Sequence, residues 1–175
     1  MKTKHFLLTN AFIILSSLTF SSCDQFLSKD QNLKDENLEN KGISLIQYDD
    51  DEMNTAITNA KATFQDFENE IKNPDGKYFA VKVGILYTGG KEHIWVVDVI
   101  EENGKYFGRV DNEPEYTDKV KLNDLIEIPT DIISDWMILE GDKLIGGGYT
   151  LKLIRNRMSP EERAAFDQES QINFS

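Results

Sequence analysis

The residues best suited to chemistry gather around Glu92-His93-Ile94-Trp95. His93 and Trp95 lie two apart, so an extended strand points them the same way, with Asp98 on the opposite face. An imidazole near neutral pH can hold a ligand or move a proton, although a strand-end histidine is more often merely solvated. Asp111, Glu113 and Asp135 form a second group, which converges if a polar loop folds near a later strand. Clustered carboxylates suit a hard cation or acid–base work. Their spacing matches no calcium loop, and no histidine pair exists for zinc, so no metal site is expected. Gly146-Gly147-Gly148 can expose N–H groups to an anion, but it lacks the spacing of a phosphate loop. Close packing of Gly147 and its neighbours against Trp136 is the plainer reading. Trp95 and Trp136 sit in polar settings, as partner-contacting aromatics do.

No Ser/His/Asp or Cys/His nucleophile set can be assembled around His93, which leaves carboxylate-only chemistry open. The one cysteine, Cys23, excludes an internal disulfide. It follows basic Lys2 and Lys4, an apolar run from Phe6 to Phe20, and small Ser21 and Ser22. That run is shorter than the ~20 residues a spanning helix needs. The segment resembles a bacterial lipoprotein signal peptide over 1–22, with Phe20 where such signals usually carry Leu. The resemblance implies a diacylated Cys23 and a protein anchored to a membrane of the bacterial cell envelope, since two acyl chains anchor stably. Residues 23–48 read as a polar tether whose end holds Ile43, Leu45 and Ile46; as a coil it spans about 28 Å.

Beyond Cys23 lie 17 basic residues, the chain's 19 less Lys2 and Lys4, and all 31 acidic ones, a net charge of −14. Such a surface repels nucleic acid and favours basic partners.

These residues must be positioned by a domain expected over 49–169, with a tail at 170–175. Met53, Ala56, Ile57, Ala60, Phe64, Phe67 and Ile71 recur at steps of three and four, which predicts one long helix after an acidic start. Strands are expected at Lys77–Tyr87, Glu92–Ile100, Lys105–Val110, Leu125–Ile128, Ile132–Leu139 and Lys143–Ile145, separated by turn signals such as Asn103-Gly104. Glu92–Ile100 reads as an inner strand, with Ile94, Val96 and Ile100 on one face and Trp95, Val97 and Val99 on the other. Thr150–Met158 reads as helix or strand. Ser159-Pro160-Glu161-Glu162 predicts a helix start with a capping box. The expected fold is α+β: a long N-terminal helix on a curved, mainly antiparallel sheet of five or six strands, with short C-terminal helices.

Phe79-Ala80-Val81-Lys82-Val83, Glu92-His93-Ile94-Trp95, Asp111-Asn112-Glu113-Pro114, Ile133-Ser134-Asp135-Trp136-Met137, Gly147-Gly148-Tyr149-Thr150-Leu151 and Met158-Ser159-Pro160-Glu161-Glu162-Arg163 together resemble the YegJ-like bacterial family. The likeness runs from about Asp51 to Asp167. Gly146-Gly147-Gly148 departs from it by one glycine. The family carries no established reaction, so the resemblance implies no catalytic residues and no cofactor. The leading expectation is a non-enzymatic binding module with a protein or small-molecule partner, contacted through Trp95, Trp136 and the loop from Asp111 to Tyr116. The alternatives are an envelope hydrolase using His93 with Asp111, Glu113 or Asp135, and an acidic inhibitor or immunity-type protein.

Overall fold

The computed structural model describes residues 50–175. The signal-like segment, Cys23 and the tether lie outside the described residues. The chain runs through α1 (Asp51–Ala62), α2 (Phe64–Glu70), β1 (Lys77–Tyr87), β2 (Gly90–Glu102), β3 (Lys105–Val110) and β4 (Leu125–Ile128). A 3-10 turn at Thr130–Ile132 leads to β5 (Ile133–Glu140), β6 (Lys143–Gly147), α3 (Tyr149–Arg157) and α4 (Pro160–Ser170). The fold is α+β, with one open antiparallel sheet in the order β4-β3-β2-β1-β5-β6.

β1 lies at the centre, between β2 and β5, and its alternation divides the core. Phe79, Val81 and Val83 join Ile94, Val96, Trp136 and Ile138 on the side packed by Ala60, Phe67 and Ile71. Ala80 joins Trp95, Val97, Met137 and Leu139 on the other side, packed by Leu151, Phe166 and Ile172. The expected parity of β2 holds only to Val97. Asp98 adopts a left-handed backbone (φ 52°) where the register with β3 shifts. That extra residue sends Val99 into the core beside Ile94 and Val96 and leaves Ile100 exposed.

The apolar stripe expected to form one helix is divided at Thr63. Asp50 caps α1 by accepting from the Met53 amide (3.0 Å), and Thr63 closes it. The Trp136 indole N–H donates to the Ala60 carbonyl (2.9 Å), the group that an unbroken helix would give to Phe64. The Thr63 hydroxyl bonds back to Asn59 O (2.9 Å), a contact that bends helices. The break turns Phe64 and Phe67 onto the sheet, where Phe67 meets Phe79 and Trp136 edge-on.

At the C-terminal end the capping box of Ser159 and Glu162 forms as its residues predict. Arg155 holds Asp167 through two hydrogen bonds (2.6 and 2.7 Å), tying α3 to α4. Residues 170–175 carry buried Ile172, and Asn173 pairs with the edge of β6 through Leu144 N (2.9 Å) and Asp142 O (2.8 Å).

β6 turns into α3 through Gly147 and Gly148, both left-handed (φ 69°). A Cβ on Gly147 would run into the Trp136 carbonyl, and one on Gly146 would press on the Trp136 ring. Gly147→Ala should therefore cost about 3 kcal/mol or more, combining a left-handed side chain with overpacking. Gly104→Ala, in an open turn with nothing near the new methyl, should cost about 1 kcal/mol. Urea denaturation of both variants checks this; equal losses would mean that the contact with Trp136 contributes nothing.

Candidate functional site

Three strands supply the site. In register across the sheet, Trp95 of β2 lies opposite Lys82 of β1, which lies opposite Asp135 of β5. One step along, His93 lies opposite Gly84. Lys82 pairs with Asp135 and Val83 with Ile133, so Ser134 is an extra residue and β5 bulges there.

Asp135 is fully buried and its carboxylate is used on every side. One oxygen accepts from the amides of Trp136 (2.8 Å) and Tyr149 (3.1 Å). The other accepts from the amide (2.8 Å) and hydroxyl (2.7 Å) of Thr150. Gly148 precedes α3 without a capping side chain, so Asp135 reaches across from β5 to cap that helix. Burial pushes its pKa up, while the bonds from Thr150 and Trp136 and the charge of Lys82 pull it back. Lys82 is buried too: its ammonium reaches Thr150 Oγ1 (3.5 Å) and lies 5.8 Å from the centre of the Trp95 ring. Burial pushes its pKa down, and Asp135 opposes that shift. Thr150 thus stands between an acid and a base, each drawn towards its neutral form.

His93 lies on the outer rim of this row and is solvent-exposed. Its Nδ1 is 2.8 Å from Ser134 Oγ, and Ser134 Oγ donates to the Lys82 carbonyl (3.1 Å) where the bulge interrupts the ladder. Gly84 leaves room for the Lys91 side chain; a Cβ there would lie 2.6 Å from Lys91 Cδ and in ordinary contact with the His93 ring at 3.4 Å. Although the residue faces water, its ring is held towards the neutral form. Desolvation, then the charges of Lys82, Lys91 and Lys61, lower its pKa from 6.5 to about 4.

The polar loop packs on the stretch of β2 that β3 does not reach. The Asp111 amide donates to Trp95 O (2.9 Å), and Asn112 Oδ1 accepts from Trp95 N (2.8 Å). The Glu92 carboxylate accepts from the amides of Glu115 (2.6 Å), Tyr116 (3.0 Å) and Thr117 (2.8 Å). Tyr116 stacks on Tyr87 with ring centres 5.4 Å apart.

The expected site residues therefore divide. His93, Trp95 and Asp135 share one row, but only His93 offers a free atom to solvent. Trp95 is 6% exposed and Trp136 2% exposed, so neither ring can serve as a contact surface, which corrects that expectation. Trp136 points to the opposite face and anchors α1. Asp111 is buried with its carboxylate 3.8 Å from Arg109, and Glu113 is exposed on the loop. Asp98 does not stand apart on the far face as expected; the bulge brings it to Arg109 (2.7 Å), whose backbone pairs with Val97. Gly147 is a packing glycine. Among the described residues no group of three or more His, Cys, Asp or Glu can hold a metal, and no helix is long and apolar enough to cross a membrane. The sequence gives no chemical role to Lys82, Ser134 or Thr150, nor to the Glu92 carboxylate as the anchor of the loop. One signal was available: Lys82 is the lone charge inside the apolar run from Phe79 to Val83.

Five of the six segments that carried the resemblance meet here; the sixth, Met158 to Arg163, starts α4. Residues 50–174 match the family described as an uncharacterized protein conserved in bacteria (DUF2314). The chain belongs to this family. Over 104 residues it is 36% identical to the uncharacterized protein YegJ of Escherichia coli K12, covering 59% of this chain and 67% of that protein. Over 142 residues it is 30% identical to a Neisseria meningitidis protein named "Putative ankyrin repeat protein NMB1133/NMB1171", covering 75% of this chain and 56% of the relative. No solved structure matches.

Two outcomes follow for this family domain. Because the folded-state pKa of His93 lies below its ordinary value of 6.5, the unfolded chain binds more protons between about pH 6.5 and 4. The His93 contribution to stability is therefore intact above 6.5 and is lost as pH falls towards 4. Denaturation midpoints of wild type and His93→Gln should diverge in that window; parallel curves would refute the shift. Glu92→Gln should speed amide exchange of Glu115, Tyr116 and Thr117 about tenfold or more, since charge-assisted bonds contribute about 1.5–3 kcal/mol. The Gly104 amide, held by Glu101, should not change.

Proposed function

We propose that this family domain is a non-enzymatic binding module, presented at a bacterial envelope membrane by a lipidated Cys23 on the tether 23–48. Its partner, a protein or a small molecule, would be recognised around His93 and the loop at Glu113–Thr117. The observation that carries this reading is the fate of the candidate catalytic groups. Asp135 spends its carboxylate on α3, and Asp111 lies buried beside Arg109. Among the described residues Ser134 makes the only close Ser–His contact, but it is buried and its hydroxyl also bonds the Lys82 carbonyl. Among the described residues no nucleophile is left for His93 to activate, which weighs against the hydrolase reading. What is left open to solvent is a positioned imidazole beside an ordered loop, a better description of a recognition surface than of a reaction centre. The acidic-inhibitor reading rests on net charge alone and gains nothing from this geometry.

The test has two parts. Cys23→Ser should move the protein from the membrane to the soluble fraction of its host; an unchanged distribution would sink the anchoring claim. Native mass spectrometry of the gently purified protein should find a bound species that is lost with His93→Gln or on shortening the loop. Copurification with nothing under any growth condition, or retention by both variants, would count against the binding surface.

A further inference from the structure

The hydrogen bonds around His93 assign its tautomer. Ser134 has one hydroxyl proton, and that proton is directed at the Lys82 carbonyl (3.1 Å). The short contact of Ser134 Oγ with His93 Nδ1 (2.8 Å) then needs the proton on the ring, so Nδ1 donates and Nε2 keeps its lone pair. Among the described residues no hydrogen bond reaches Nε2, and His93 is exposed. The β5 bulge makes this arrangement possible by placing Ser134 beneath the ring. Lys82 on β1, Lys91 on β2 and Lys61 on α1 each disfavour a charged ring, and the Lys82 charge is itself opposed by Asp135. The two exposed lysines among them, Lys61 and Lys91, stand in a chain whose formal net charge is −12.

Building on the binding reading above, we propose that His93 Nε2 is the acceptor of a site for a small anion that brings its own N–H or O–H donor. The lysines supply the attraction for its charge, and the fixed lone pair selects for its proton. A charged oxyanion without a proton gains the first and forfeits the second. Hydrogen phosphate and sulfate separate the two, because both are dianions near pH 7.5 and only phosphate retains an O–H.

The test is a nitrogen NMR titration of the full chain labelled at its two histidines, His5 and His93, with His93→Gln to assign the signals. At pH 7.5 the His93 spectrum should show the Nδ1–H tautomer. Inorganic phosphate should shift the Nε2 resonance saturably, and sulfate should do so at least tenfold more weakly. Lys61→Gln with Lys91→Gln should weaken the phosphate response about tenfold, the effect of two solvent-exposed charges. Ser134→Ala should release the ring to the Nε2–H form and abolish the response. An Nε2–H tautomer in the wild type, an Nε2 signal that ignores phosphate, or equal responses to phosphate and sulfate would each overturn the proposal. Because native spectra can find a partner while Nε2 ignores phosphate, the two readings fail separately.

Discussion

Burying the carboxylate of Asp135 at the start of α3 is the constraint on which much of the structure depends. A carboxylate taken out of water costs several kcal/mol unless its oxygens are fully hydrogen-bonded and a positive charge is near. Four donated bonds and the neighbouring Lys82 meet that demand. To deliver the amides of Tyr149 and Thr150, β6 must end abruptly and turn through two left-handed glycines. That turn lies flat on the backbone of Trp136, which sends its indole to the other face, where it takes the Ala60 carbonyl and divides the N-terminal helix. One buried charge thus connects β5, α3 and the break between α1 and α2.

Two irregularities in the strands decide which side chains meet. The extra residue at Ser134 gives Lys82 O a hydroxyl partner and places that hydroxyl under His93. The left-handed Asp98 reverses the alternation of β2, burying Val99 and carrying the Asp98 carboxylate to Arg109. Bulges are common beside binding sites because they re-aim single side chains without disturbing a sheet. Here they separate residues into those spent on structure and those left facing water. Asp111, Asp135 and both tryptophans fall in the first group, and His93 and the outer loop in the second.

The ends of the sheet are handled in different ways. Asn173 pairs with β6, and the polar loop takes the part of β2 beyond the reach of β3, using the Asn112 side chain and the Glu92 carboxylate as partners. β4 is short, and its Leu125 is 75% exposed. Charge is as unevenly spread as hydrogen bonding. A strongly acidic chain sets Lys82, Lys91 and Lys61 to act on one imidazole. A basic partner attracted by the overall charge and an anion attracted by that local field would therefore approach different regions of this domain.

The sequence by itself determined what local physics can encode. The period of two in Lys77–Tyr87, the Asn103-Gly104 turn, the acidic start of α1 and the Ser159 capping box each depend on neighbours a few residues away. Their elements stand where those patterns place them, and the ordered segments from Phe79 to Arg163 were enough to identify the family. Gly147 as a packing partner of Trp136 was legible as well, because three adjacent glycines without phosphate-loop spacing leave few other roles. Tertiary structure alone decided the rest. The break at Thr63 follows from an indole donor 76 residues beyond the Ala60 carbonyl it bonds, the parity change in β2 from a bulge with no sequence mark, and the choice of helix for α3 from a carboxylate on another strand. Which of His93, Asp135 and the two tryptophans would face water could not be read locally. Burial is set by what packs opposite a residue, and that partner lies on a different strand or helix.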